Sequence, residues 1–160
     1  MYLTSEQWKR CLSRLTSLLK QLATLEFNRF SDFVSIEDGE IRIKNIPRSP
    51  GVYVIFEGKK PIYIGSTGKG AASLKTRFRD LFYVNMKRYP DSVKPSEPFN
   101  HTLTYKLTSS KKTGRFRHPD KTRKFYLTKC SFKVVETRNV NEARALESIL
   151  ILQLQPEYNE

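Results

Sequence analysis

The chain has 160 residues, of which 38% are hydrophobic and 28% are charged. This length allows one sizeable core and is short for two, and the balance excludes a disordered chain. It contains no run of roughly eighteen apolar residues and opens without a basic-then-apolar segment, so we expect no membrane span or export signal and an intracellular protein, cytoplasmic or nucleoid-associated. Its two cysteines, Cys11 and Cys130, are too few for a disulfide framework or a four-cysteine zinc site.

Positive charge is the second compositional signal. Lys and Arg number 29 against 16 Asp and Glu, and the net charge of +13 favours a polyanionic partner such as nucleic acid. The densest basic cluster lies within residues 111–124, where aromatic and histidine side chains separate the cations, as in a loop that contacts phosphates and stacks on bases. A solvated basic loop is the alternative. The candidate nucleic-acid-binding residues are Lys69, Lys111, Lys112, Arg115, Arg117, Arg123 and Lys124.

The first predicted element is an amphipathic helix over residues 5–30. Its apolar residues recur at three- and four-residue spacing, and Thr4 or Ser5 is placed to cap it. The apolar stripe of this helix must be covered, either by the rest of the domain or by a second subunit, and both remain open. A short strand over 41–43 follows before two prolines, so residues 1–48 are predicted to form an N-terminal helical extension.

A β-hairpin is predicted next. Two β-rich runs, 51–57 and 62–65, are joined across a Gly-containing turn segment. If the register is symmetric, the alternation of side chains places Tyr53 and Tyr63 on one side of the sheet. A helical run from about residue 71 to 87 follows the hairpin.

The remaining elements complete the predicted domain of residues 49–160. A proline-rich, polar insertion spans about 88–124, and the alternation over 101–107 predicts one extra strand within it. A third core strand is predicted over 125–136 and a helix over 141–153. The order predicts an α+β domain: a small three-stranded antiparallel sheet flanked by helices, with an N-terminal amphipathic helix and an inserted basic segment.

Glu147 is a carboxylate in an otherwise almost entirely apolar stretch of the last helix. An ionised carboxylate in such a place is costly unless it meets a cation or strong donors, and a metal ion or an arginine would answer that cost. The alternative is that Glu147 lies on the one wet face of the helix, beside Arg144 and Ser148.

Five short motifs occur in a specific order along the chain. They are Gly51-Val52-Tyr53, Tyr63-Ile64-Gly65-Ser66, Leu74 with Arg77, Glu147, and Pro156 with Tyr158 and Asn159. In this order, and in strand, strand, helix, helix and C-terminal loop contexts, they resemble the GIY-YIG nuclease family. The resemblance spans about residues 51–159, apart from the insertion, and residues 1–50 match nothing in the shared core.

The resemblance implies hydrolysis of DNA phosphodiester bonds with one divalent cation, Mg²⁺ or Mn²⁺. Glu147 would be its single protein ligand, which suffices because Mg²⁺ keeps several of its waters. Tyr53 would be the general base, and Tyr63 would orient the attacking water or contact the phosphate. Arg77 would hold the scissile phosphate, and Asn159 would tie the C-terminal loop to the site.

One position departs from the family pattern. Four residues beyond the arginine the family usually has His, Tyr or Lys, whereas Leu81 stands there in this chain. Counting from Arg79 instead gives Tyr83, but this loses the apolar residue three places before the arginine, so Arg77 is preferred. The missing proton carrier could be His118 or a lysine of the insertion, or a second water.

The sequence therefore predicts a Mg²⁺-dependent DNA endonuclease, with DNA as partner and a homodimer through the helix over residues 5–30 as one arrangement. Two alternatives stay open: a nucleic-acid-binding module that keeps the fold without the chemistry, and a basic protein that binds structured RNA.

Overall fold

The computed structural model describes residues 4–68, 73–89, 94 and 96–159. Its elements, in chain order, are α1 (Ser5–Thr24), β1 (Asn28–Arg29), a 3₁₀ turn (Phe30–Asp32), β2 (Val34–Glu37), β3 (Glu40–Ile43), β4 (Gly51–Glu57), β5 (Lys60–Ser66), α2 (Leu74–Phe82), α3 (Thr102–Thr108), α4 (Pro119–Lys129), β6 (Cys130–Glu136) and α5 (Val140–Leu154). The mixed α+β class predicted from the sequence is confirmed. Among the helices of the described residues, none has the length and apolar character needed to span a bilayer.

The main sheet has four antiparallel strands in the order β1-β6-β4-β5, rather than the three that the sequence predicts. The additional strand, β1, consists of two residues that pair Asn28 with Phe132 and Arg29 with Ser131. A strand this short has no periodicity to detect, so the sequence pattern does not reveal it. β2 and β3 form a separate two-stranded hairpin, and β5 is an edge of the main sheet.

One face of the sheet carries an aromatic core. Phe30, Phe78, Tyr126 and Phe132 are fully buried there together with Tyr53. The ring centroids of Phe30 and Phe132 are 4.7 Å apart, and those of Phe78 and Phe132 are 4.8 Å apart. These rings join the sheet to α2 and α4, so the helices that flank this face are fixed by aromatic packing.

The opposite face of the sheet is aliphatic and is covered by α1 and α5. Its buried residues are Leu18, Leu22, Val52, Val54, Ile64, Val135, Ala143, Leu146 and Leu150. Of the predicted helix over residues 5–30, α1 forms only the part up to Thr24, because Leu25 has extended backbone angles and ends it. Towards its N-terminus the stripe is open, since Trp8 is 56% and Leu12 60% exposed.

Two predictions for the second half of the chain are wrong. The segment 101–107, predicted as a strand, lies in α3, because Leu103 and Leu107 are also spaced for one face of a helix and His101 caps it. The first part of the strand predicted over 125–136 belongs to α4, which His118 caps. β-Branched and aromatic residues give both segments a strand-like composition, and their tertiary packing overrides that preference.

The other helices follow their patterns more closely. α2 spans Leu74–Phe82, so the predicted end at residue 87 is wrong: Tyr83 has extended backbone angles and ends the helix. Ser73 caps α2 by accepting the backbone N–H of Thr76. α5 agrees with the predicted helix over 141–153 to within a residue at each end, and Asn139 caps it.

The packing of α1 on the sheet predicts unequal effects of two alanine substitutions in the same helix. Leu18 is 1% exposed, whereas Leu12 is 60% exposed. Leu18→Ala should lower the free energy of unfolding by about 2–5 kcal/mol, because it removes buried methyl groups and leaves a cavity. Leu12→Ala should change it by less than roughly 0.5 kcal/mol. Urea unfolding followed by circular dichroism measures both, and small, equal losses would contradict this packing.

Candidate active site

The β4–β5 hairpin brings two tyrosines together on the aromatic face. Tyr53 is paired with Gly65 and Ile55 with Tyr63, so the two phenols are diagonal neighbours on adjacent strands, with ring centroids 6.3 Å apart. Tyr53 is 1% exposed and Tyr63 7%. The Tyr53 ring lies directly against the backbone of Gly65, and a Cβ at that position would overlap its hydroxyl group. The glycine is therefore required by this close approach.

Arg77 reaches the same place from α2. Its guanidinium lies close enough to act electrostatically on both tyrosines. The Nε of Arg77 is buried and has no hydrogen-bond partner within the described residues. A buried charged donor without a partner is costly, and an anionic oxygen would satisfy it.

Glu147 approaches the tyrosines from α5, on the side of Ser66. Ser66 Oγ donates a hydrogen bond of 2.6 Å to Glu147 Oε2. The carboxylate is half-buried, and its charge acts on both Tyr53 and Tyr63. The charge of Glu147 thus reaches both phenols, while α5 itself packs on the aliphatic face of the sheet.

Burial dominates the acid–base behaviour of the two phenols. Desolvation, with the neighbouring Tyr63 next, raises the pKa of Tyr53 well above its usual value, and the charge of Arg77 opposes this rise. Burial likewise raises the pKa of Tyr63 to about 12, again opposed by Arg77. Both phenols are therefore protonated at neutral pH in this structure.

His101, a residue that the sequence analysis does not single out for the site, completes this group. Its Nε2 is 2.6 Å from Tyr53 Oη, and its Nδ1 accepts the backbone N–H of Leu103 at 3.1 Å. The ring is 2% exposed and lies 5.3 Å, centroid to centroid, from Tyr63. Burial, with Arg77 as the second cause, lowers the pKa of His101 well below its usual value. The sequence signal for His101 is its place just before Leu103 and Leu107, which are spaced for one face of a helix, because capping residues occur at helix starts.

The C-terminal segment is fastened to the β5 edge. Asn159 Oδ1 accepts the backbone N–H of Ile64 at 2.7 Å, and Asn159 Nδ2 donates to the Ile64 carbonyl at 2.6 Å. The backbone N–H of Tyr158 donates to the Ile62 carbonyl at 3.0 Å. The Asn159 side chain therefore takes the place of a neighbouring strand beside the residue that follows Tyr63.

The residues that the sequence analysis gives as alternatives lie outside this group of side chains. Arg79 follows Arg77 by two residues, which places the two side chains on different sides of α2, and Arg79 is exposed. Tyr83 is 41% exposed and lines a surface groove with Arg79. His118 caps α4, and its ring centroid is 6.2 Å from that of Tyr89.

The basic cluster divides into two groups. Arg115 donates to both carboxylate oxygens of Glu57, at 2.8 and 2.9 Å, and its guanidinium lies 4.8 Å from the Phe125 ring centroid. Arg123 Nε donates to the carbonyl of Phe82 at 2.9 Å. Of the other candidate binding residues in the cluster, Lys111, Lys112, Arg117 and Lys124 are exposed. Lys69 lies outside the described residues.

Glu147 is also the candidate metal ligand. The described part of the chain contains no group of three or more His, Cys, Asp or Glu side chains that could hold an ion. A single carboxylate is compatible with Mg²⁺, which favours oxygen ligands and retains several waters. Ser66 holds one oxygen of Glu147, and within the described residues nothing donates to the other. The donor chemistry therefore fits a hydrated divalent cation.

No family model and no curated protein sequence matches the chain. Among solved structures, the chain is similar to the GIY-YIG N-terminal endonuclease domain of UvrC from Thermotoga maritima bound to its catalytic divalent cation, magnesium. The identity is 22%, the match covers 72% of this chain and 89% of that chain, and the TM-score is 0.42. Two tyrosine-to-phenylalanine variants of the same domain are similar at 22% identity over 72% of this chain and 88% and 89% of theirs, with TM-scores of 0.41 and 0.42. These domains are of the family that the sequence motifs resemble.

The contact between Gly65 and Tyr53 predicts a position-specific effect of adding one methyl group. Gly65→Ala should lower the free energy of unfolding by roughly 1–3 kcal/mol, because the methyl group overlaps a buried ring that is packed on all sides. Gly68→Ala is the matched control, since its methyl group would meet only the movable end of the Arg144 side chain. Chemical denaturation measures both, and a Gly65→Ala variant as stable as the control would contradict the close approach.

Proposed function

We propose that this protein is a metal-dependent endonuclease that hydrolyses DNA phosphodiester bonds, with Tyr53 as general base and Glu147 holding one divalent cation. The observation that carries the proposal is the unsatisfied Nε of Arg77, buried beside two phenols that the charge of Glu147 also reaches. A guanidinium with a free donor matches a phosphate oxygen in both charge and geometry.

The proposed role of Arg77 is to hold the scissile phosphate. Its Nε is already buried beside the two tyrosines, so this donor is in place before substrate binds. Donors placed in advance stabilise the charge that builds up on phosphate oxygens in the transition state. The half-buried position strengthens this interaction relative to one in water.

The proposed metal ion, Mg²⁺ or Mn²⁺, would be held by Glu147. When bound, it would neutralise charge on the phosphate and lower the pKa of a bound water. Ser66 keeps the carboxylate in one orientation, which is how residues around a metal ligand commonly support it.

The proposed role of Tyr53 is to take a proton from the attacking water at Oη. The phenol must first lose its own proton to solvent water, and burial disfavours that loss. The charge of Arg77 acts in the opposite direction. Tyr63 would orient the water or contact the phosphate, and Asn159 would keep β5, which carries Tyr63, in place.

The exposed cations of the insertion are proposed to contact the DNA backbone. Such contacts supply affinity and salt dependence and carry little sequence information. Lys69 is proposed for the same role on the sequence alone. The homodimer through residues 5–30 stays a prediction, for which the exposed Trp8 and Leu12 offer the surface.

A second candidate function is a nucleic-acid-binding module without catalysis. It is favoured by Leu81, which is 1% exposed in the core, so α2 presents no ionisable side chain at that position. The raised pKa values of both phenols point the same way, because neutral phenols are poor bases.

Nicking of supercoiled plasmid DNA in Mg²⁺ or Mn²⁺ separates the two functions. We expect nicking that EDTA abolishes, and a loss of about 10²–10⁴-fold in rate for Tyr53→Phe, the range for a general acid or base. Glu147→Gln should lose activity together with its response to the metal. Tyr105→Phe is the control, because Tyr105 is a half-buried tyrosine that packs against Phe99 outside the site.

Three results would change the assignment. Tight DNA binding without cleavage in any divalent metal supports the module. Equal losses for Tyr53→Phe and Tyr105→Phe would remove Tyr53 from the chemistry. Preferential displacement of DNA by structured RNA would favour the RNA-binding alternative.

The division of the basic cluster predicts which cations set the salt dependence of binding. Replacing Lys111, Lys112, Arg117 and Lys124 together with Gln should reduce the slope of log affinity against log salt concentration by about 0.9 for each phosphate that the variant no longer neutralises. Fluorescence anisotropy with a labelled duplex at several salt concentrations measures this slope.

The control for this measurement is Arg115→Gln. Its guanidinium is engaged by Glu57, so we expect a change in stability with little change in slope. An unchanged slope for the fourfold variant would place the DNA-binding surface elsewhere on the protein.

A further inference from the structure

We propose that His101 is a positioning residue for Tyr53: its Nε2–H donates a hydrogen bond to Tyr53 Oη and fixes the side on which that oxygen can exchange a proton. This inference rests on the proposed nuclease function and adds to it a group that comes from the inserted segment.

The inserted segment holds the His101 ring in place through contacts of Thr104. Thr104, one turn beyond His101 along α3, donates from Oγ1 to the Leu81 carbonyl at 2.5 Å. Its hydroxyl also lies 3.1 Å from the hydroxyl of Tyr126. α3 is therefore anchored to the last turn of α2 and to α4, and the residue that caps it is held over the hairpin tyrosines.

The hydrogen bonds of His101 determine which ring nitrogen carries the hydrogen. His101 Nδ1 accepts the backbone N–H of Leu103, so this nitrogen carries no hydrogen. The ring is 2% exposed and is kept neutral by burial. A neutral imidazole has one N–H, which must then be at Nε2, the atom 2.6 Å from Tyr53 Oη. His101 is therefore the donor and Tyr53 the acceptor.

The hydrogen bond from His101 limits how the Tyr53 hydroxyl group can exchange its proton. Both ring nitrogens are engaged, so His101 does not take the proton of Tyr53. It occupies one lone pair of Oη, while the charge of Arg77 acts on the same hydroxyl group. The proton exchanged by Oη must then pass on the side away from His101. A donor at this position also stabilises the oxygen whenever it is negatively charged.

Two variants separate positioning from folding. In His101→Asn, Oδ1 replaces Nδ1 as the cap acceptor, since Asn is a favoured cap, but the side chain is too short to reach Tyr53. In His101→Gln, an amide N–H extends towards Tyr53 Oη while the cap is weakened. We expect His101→Asn to unfold at a urea concentration close to that of the wild type, with kcat for plasmid nicking lowered at least tenfold and KM unchanged.

His101→Gln should show the reverse combination. We expect it to unfold at a lower urea concentration than the wild type, and its kcat to be at least threefold higher than that of His101→Asn. If activity follows stability across the two variants, or if His101→Asn cleaves as fast as the wild type, His101 has only a structural role and the proposal is overturned.

A spectroscopic measurement tests the hydrogen bond without cleavage. Long-range ¹H–¹⁵N spectra of the full chain show which ring nitrogen carries the hydrogen, and His101 is assigned by its absence from His101→Asn, since the chain has 2 histidines. We expect the hydrogen at Nε2, with its signal shifted in Tyr53→Phe. A hydrogen at Nδ1 would overturn the proposal. If the wild-type protein does not cleave DNA but this signal is present, the nuclease function fails and the hydrogen-bond assignment stands.

Discussion

The structure depends on one close approach, that of the Tyr53 phenol to the backbone of Gly65. It requires the β4–β5 register, because a slip of one residue would turn the tyrosine to the aliphatic face. It also fixes the hydroxyl oxygen where His101 reaches it from the cap of α3 and where the charge of Arg77 acts on it from α2. The sheet thus supplies a rigid acceptor around which the inserted segment and α2 are organised.

The hairpin and the last helix could be predicted because their signals are local. Tyr53 and Tyr63 share a face as a consequence of strand alternation, and α5 has a cap and a long apolar pattern. α3 could not be predicted in the same way, because Leu103 and Leu107 fit either a strand face or a helix face. The bond from Thr104 to the carbonyl at the end of α2 is a tertiary contact, and His101 reaches its place only through it.

Charge shows a similar division between composition and structure. A net charge of +13 predicts a polyanionic partner, but it does not distinguish a free cation from a paired one. Glu57 lies 58 residues from Arg115 in sequence, yet engages it through two hydrogen bonds. The cations available to a ligand are thus fewer than the basic cluster contains, and identifying them requires the packing of the insertion against β4.

The site holds two opposing tendencies in one small volume. Burial keeps both phenols protonated, which works against a base, and it leaves a guanidinium nitrogen without a partner among the described residues, which works against stability. The same exclusion of water strengthens every charge interaction there. A phosphate oxygen on Arg77 would satisfy the free donor, and in the proposed nuclease it would bring the scissile bond near the Tyr53 oxygen that His101 contacts. The features that make the free site unfavourable are therefore those that an anionic substrate would relieve, as expected where a fold trades stability for binding and catalysis.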